Sequence, residues 1–204
     1  MNGQTSGKNP RPNISKNIGI KSLLERKTLN MIFYDNSFTK TTFFVKIMSE
    51  QNIPIFYFDF DLLYSGYLSA KETLLPKNTT VFSLNNSNLY ENFKLIINKV
   101  SKTKSLIILD SLNGFFNLIG AKNDVARTIN SLIMLLVSAA STVKSCVIVG
   151  SLSKLNNEKI WVLQNNGRHI IENDYMTKIQ LISSENTTVV KTLNSDNSDL
   201  ILEI

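Results

Sequence analysis

Three short stretches of the 204-residue chain carry side chains whose types and spacing could do chemistry. The first is Tyr34-Asp-Asn-Ser-Phe-Thr-Lys40-Thr41-Thr42. A phosphate-binding turn of the form G-x-x-x-x-G-K-[ST] wraps phosphates in backbone N–H groups, neutralises them with its Lys and holds Mg²⁺ through its hydroxyl. Lys40 and Thr41 stand at the last two positions, but Thr39 and Tyr34 stand where the glycines belong. If Tyr34 instead closes a strand, Asp35 takes the first glycine's place and the turn is one residue short. In either alignment side chains fill space that phosphates need, and Asp35 adds repulsion. The second stretch is Tyr57-Phe-Asp59-Phe-Asp61. The third is Leu106-Ile-Ile-Leu-Asp110-Ser111, four apolar residues and then Asp, the form of a strand whose Asp holds the magnesium shell in many nucleotide hydrolases. Buried strands often end in Asp, so the third pattern alone is unspecific.

The elements that must position these residues follow from hydrophobic patterning. Leu29–Tyr34, Ile53–Asp59, Thr80–Leu84, Ser105–Asp110 and Cys146–Gly150 are apolar runs of strand length. Between them, Thr41–Gln51, Leu89–Val100 and Asp124–Ser141 carry helix-spaced apolar residues. A short amphipathic piece with Ile18, Ile20, Leu23 and Leu24 precedes the first strand. Beyond residue 156 the helical period is lost, and Lys159–Leu163, Met176–Ile182, Thr187–Lys191 and Leu200–Ile204 read as short strands. Such alternation predicts an α/β fold with a mostly parallel sheet covered on both faces, extended along one edge by antiparallel C-terminal strands. In an open parallel sheet ligands sit at the carboxyl ends of the strands, where all three stretches fall.

Composition narrows the classes. Hydrophobic residues make up 43% of the chain, enough for a sizeable core. Charges interrupt every apolar run before it reaches bilayer length, and the first twenty residues lack the apolar stretch of a secretory signal. No membrane association is expected. A single cysteine, Cys146, and a single histidine, His169, leave neither a disulfide nor a Cys/His zinc cage, and a cytoplasmic location is expected. Cys146 lies in an apolar run and reads as a buried thiol. Trp161 and the Phe115-Phe116 pair read as core, with a partner-binding patch as the other reading. Of the net charge of +6, residues 1–27 hold all but one unit: Lys8, Arg11, Lys16, Lys21, Arg26 and Lys27 stand against Glu25. Residues 1–14, polar with two prolines, read as a disordered basic arm, and residues 15–204 as one domain. Such an arm attracts phosphates, or simply aids solubility.

Taken in series, these pieces resemble the RecA/RadB/KaiC superfamily of P-loop ATPases over nearly the whole chain. Gly19-Ile-Lys-Ser-Leu-Leu24 is similar to the lead-in to that family's first core strand, and Lys40-Thr41-Thr42 falls at its P-loop. Asp59-Phe60-Asp61 resembles its D-x-E, which places Asp61 at the position of the residue that activates the attacking water. Asp110-Ser111 matches its magnesium-binding Asp-Ser. Val147–Ser151 fits the strand of its γ-phosphate sensor, without the usual Asn or Gln. Gly167-Arg-His-Ile170, Thr177–Ser183 and Val189–Lys191 resemble its closing antiparallel strands. The resemblance implies a RecA-like three-layer α/β/α sandwich. It implies a nucleotide site of Lys40, Thr41, Thr42, Asp110 and Ser111, with Thr41 and Asp110 on Mg²⁺ and Asp61 as candidate base. The degenerate P-loop implies that ATP and Mg²⁺ bind weakly or not at all. The function expected is that of an accessory protein in DNA recombination or repair. It would assemble with a RecA-family partner or with itself, with nucleic-acid contact through residues 1–27. Two alternatives are an ATPase-dead scaffold of the Elongator kind that binds transfer RNA, and a KaiC-like signalling ATPase.

Overall fold

The computed structural model describes residues 19–85, 87–120, 124–155, 161–163, 170, 175–183, 187–193 and 201–203. The basic arm, Gly167, Arg168 and His169 lie outside the described residues. In chain order the elements are α1 (Ile20–Leu24), β1 (Leu29–Tyr34), α2 (Ser37–Ser49), β2 (Ile55–Asp59), α3 (Leu63–Ser69), β3 (Thr79–Ser83) and α4 (Leu89–Val100). There follow β4 (Leu106–Asp110), α5 (Leu112–Ile119), α6 (Val125–Ser141), β5 (Cys146–Leu155), β6 (Trp161–Leu163), β7 (Met176–Ser183), β8 (Thr188–Thr192) and β9 (Ile201–Glu203).

The strands form one sheet in the order β3-β2-β4-β5-β1-β7-β8-β9, with β6 antiparallel to the far end of β5. From β3 to β7 every neighbouring pair is parallel, and β8 and β9 add antiparallel at one edge. β7 therefore differs from the sequence expectation: it pairs parallel with β1, and the antiparallel extension begins only at β8. β6 runs opposite to β5 while β7 runs with it, so the chain direction reverses twice between β5 and β7 and brings β7 into the sheet in the common sense.

Side-chain alternation splits the core in two. Ile107 and Leu109 face α4, α5 and α6, while Leu106 and Ile108 face α1, α2 and α3. Each helix docks through an apolar stripe, such as Ile129, Ile133, Leu136 and Ala140 of α6. α5 is a helix that the sequence reading did not separate. Phe115 and Phe116 are both buried on it, and the Phe115 ring stacks on Phe60 with centroids 4.3 Å apart. These phenylalanines are core, not a partner patch. Asn30 pins the entry to β1: its amide donates to the carbonyls of Leu24 and Lys27 and to the Cys146 sulfur. The Cys146 thiol is pushed up to about 12, chiefly by burial. No described helix is long and apolar enough to cross a membrane, and no cluster of three or more His, Cys, Asp or Glu side chains placed to hold a metal ion is found among the described residues.

Candidate functional site

β4 lies near the middle of the sheet, and its last residue, Asp110, is fully buried. The lysine that meets it comes from the first turns of α2. That helix begins at Ser37, four residues before the expected start, so the connection after β1 is only Asp35 and Asn36. The early start sets the direction of Lys40. It shares a stripe with Phe43, Phe44 and Ile47, spaced at i, i+3, i+4 and i+7, and so turns inward with them. Lys40 Nζ lies 2.5 Å from Asp110 Oδ1, with both side chains wholly out of solvent. The Tyr57 hydroxyl donates to Asp110 Oδ2, and the Tyr34 ring lies 5.2 Å from the ammonium.

A glycine makes room for this cluster. β5 runs between β1 and β4, and a Cβ on its Gly150 would stand 3.3 Å from the Phe44 ring and 3.5 Å from Asp110 Oδ1. Burial raises the Asp110 pKa, and the Lys40 charge and the bonds from Lys40 and Tyr57 oppose that rise. Burial and the Asp110 charge hold the Tyr57 hydroxyl protonated far above its ordinary range, and burial does the same for Tyr34. The cluster pairs Lys40 with Asp110 inside the core, with both carboxylate oxygens accepting a hydrogen bond and the Tyr34 ring beside the ammonium, the kind of support a buried pair needs.

The donors that a phosphate-binding turn offers are spent here within the protein. The Asn36 side chain accepts from the backbone N–H groups of Phe38 and Thr39, so a carboxamide oxygen caps the helix where an anion would sit. Thr41 Oγ donates to the Ser37 carbonyl at 2.9 Å, Thr42 points to solvent, and Phe38 is two-thirds exposed on the rim.

The two aspartates at the end of β2, Asp59 in the strand and Asp61 just past it, have separate tasks. Asp59 is fully buried, and its Oδ2 accepts from the Ser65 N–H at 2.7 Å. Asp61 Oδ2 accepts from Ser111 Oγ at 2.6 Å, while that hydroxyl accepts from the Gly114 N–H to cap α5. A Cβ on Gly114 would fall 2.1 Å from Asp61 Oδ1, so only glycine permits the carboxylate this close to the helix.

Lys40 and Asp110 thus come together, as do Asp61 and Ser111, while the hydroxyls of Thr41 and Thr42 are turned elsewhere. Sequence reasoning missed Tyr34, Tyr57, Asn36 and the two glycines as parts of the arrangement. Asn36 followed by a helical pattern was the one available signal, a capping residue in place. Tyr57, inside a continuous aromatic run, gave none.

Strand order, layers and the position of β4 define a RecA-like α/β fold. Among solved structures the chain is similar to the crystal structure of the RadB recombinase, at 13% identity over 81% of this chain and 80% of that one, with a TM-score of 0.52. At that identity the likeness is one of fold. No protein-family model matches the chain, and no curated protein matches it in sequence.

Proposed function

We propose that this chain is a RecA-like accessory protein that acts by assembly, with a recombinase-family partner or with copies of itself, in DNA recombination or repair. It binds ATP and Mg²⁺ weakly or not at all. One observation carries the reading: Lys40 is locked on Asp110 in the core. A triphosphate would have to break that pair, displace Asn36 from the helix N-terminus and tolerate Asp35 beside it. A RecA-like domain without working phosphate contacts keeps its surfaces for association, and residues 1–27, the basic arm with α1 and its flanks, supply cationic charge for nucleic acid.

Calorimetry with MgATP and light scattering test the two halves. The expected result is no heat at micromolar nucleotide, together with self-association or capture of a RecA-family recombinase. Micromolar binding with turnover that Lys40→Ala abolishes would overturn the nucleotide half. A strict monomer at high concentration that binds no recombinase would overturn the assembly half.

A further inference from the structure

The strands from β3 to β7 run one way, so their amino ends share one end of the molecule, opposite the candidate site. The connections arriving there are rich in exposed cations. Lys21, Arg26 and Lys27 lead into β1, and Lys46 lies in the last turn of α2. Lys77 precedes β3; Lys99, Lys102 and Lys104 close α4 and enter β4; Lys144 sits in the turn before β5. Glu25 and Glu50 are the acids beside them, Lys71 and Glu72 offset each other, and the connection into β7 falls outside the described residues. Glu25 bonds Lys104 at 3.0 Å. Lys21, Arg26, Lys46, Lys77, Lys102 and Lys144 have no ion-pair partner among the described residues. Among the described residues the carboxyl end shows no such excess: Asp35, Asp61 and Asp124 stand there with Lys154 and Arg127, while Asp59, Asp110 and Lys40 are buried.

Fold requirements do not fully account for this gathering of cations. The helix dipole favours Lys46 and Lys99 in their last turns and reaches Lys102 and Lys144 just past α4 and α6. Lys77 is not a helix-end charge of that kind, and Glu25 and Glu50 leave most of the mutual repulsion of the set unopposed. Strands stand about 4.8 Å apart, so the row from β3 to β1 spans roughly 19 Å. A nucleic-acid duplex carries a backbone charge about every 1.7 Å of its axis with both strands counted, so roughly eleven phosphates lie within that length and those on one side of the duplex face the row. The turns at its middle, residues 101–104 and 142–145, are serine, threonine and lysine with Val143 the one apolar residue. Hydroxyls and ammonium groups are donors to phosphate oxygens, not side chains that enter a bilayer. α1, which continues from the basic arm, lies at the same end.

We propose that the amino end of the sheet is a binding face for the sugar–phosphate backbone of nucleic acid, on the folded body and remote from the candidate site. It rests on the reading above that the chain contacts nucleic acid, and moves the main contact from the arm to the body.

The test uses the full chain with a short single-stranded DNA, its duplex, an RNA of the same length and vesicles rich in phosphatidylserine. The face variant carries Lys77→Glu, Lys102→Glu and Lys144→Glu; a control carries Lys94→Glu, Arg127→Glu and Lys191→Glu, the same change of net charge elsewhere; a third form lacks residues 1–18. The face variant is expected to raise Kd for duplex DNA at least tenfold and to flatten the log–log salt slope by about 3, at roughly 0.9 per lost phosphate contact. The control is expected to stay within a few-fold of the parent, with both melting as the parent does. Equal losses in face variant and control, loss on arm deletion alone, binding to vesicles only, or no nucleic-acid binding by the full chain would each overturn the face. The last two of these would also remove the arm contact with nucleic acid, and none touches the assembly half of the proposed function.

Discussion

Lys40 and Asp110 left water together, and neither can be removed alone without cost. Lys40→Met leaves an uncompensated carboxylate in the core and is expected to lower stability by about 3–5 kcal/mol. Adding Asp110→Asn, which keeps an acceptor for the Tyr57 hydroxyl, is expected to recover much of the loss. The deficit depends on pH with a definite sign. Burial raises Asp110 above its ordinary 3.8, so the cost of its charge is absent below that value and grows as pH rises through the folded one. Denaturation of Lys40→Met should therefore show its smallest deficit near pH 4 and its largest at neutrality; a deficit independent of pH would contradict the assignment. The pair of Asp61 and Ser111 has its own test. Gly114→Ala places a methyl group 2.1 Å from the Asp61 carboxylate and is expected to cost about 1–3 kcal/mol through overpacking, where an ordinary buried Gly→Ala would be mild. In sequence, Lys40, Asp61 and Asp110 stood out by type and spacing. Their pairing did not, because it is made between residues tens of positions apart.

At the scale of elements, the first turn of α2 decides what the site can be. Starting the helix at Ser37 spends Asn36 on capping and rotates Lys40 into the core. Asn36→Ala is expected to cost about 1 kcal/mol in denaturant midpoint, the ordinary loss of an N-cap, with helix content unchanged. The apolar residues Phe44, Ile47 and Met48 made this helix legible in sequence. Its first turn was not, since Ser, Thr and Lys read as polar loop when their neighbours in space are unknown. α5 shows a second way to miss. Leu112, Phe115, Phe116 and Ile119 have helical spacing, but eight residues containing a glycine are too few for the period to declare itself. β7 shows a third: its alternation marks a strand, and nothing local sets parallel against antiparallel.

The whole molecule holds several ionisable groups neutral inside its two cores, and this links its stability to alkali. Tyr64 is raised to about 12 by burial and the Asp59 charge, Cys146 to about 12 by burial, and Tyr34 and Tyr57 beyond that range. For each, the folded form holds the proton more tightly than the unfolded chain. Their contribution is complete below the ordinary values of 9.0 for Cys and 10.0 for Tyr and is lost as pH rises through the folded ones. Ultraviolet titration of the folded chain to pH ~11 is expected to leave three of its six tyrosines un-ionised, and all should ionise in guanidinium. The denaturation midpoint should fall over the same interval. Full tyrosinate absorbance in the folded state would place those rings in solvent and contradict the packing.

By itself the sequence determined the α/β class, the central apolar strand that ends in Asp110, the absence of P-loop glycines and the basic N-terminus. These are local properties: the period of apolar residues, the steric freedom of a glycine and the count of charges all survive without a third dimension. Tertiary structure alone decided that Lys40 is consumed by Asp110, that Asp61 serves the start of α5, and that exposed lysines from several connections meet at the amino end of the sheet. Each of those depends on which strand lies beside which and on which way a helix is turned. A parallel sheet brings the turns before its strands to one end and the turns after them to the other, so lysines far apart along the chain meet in space.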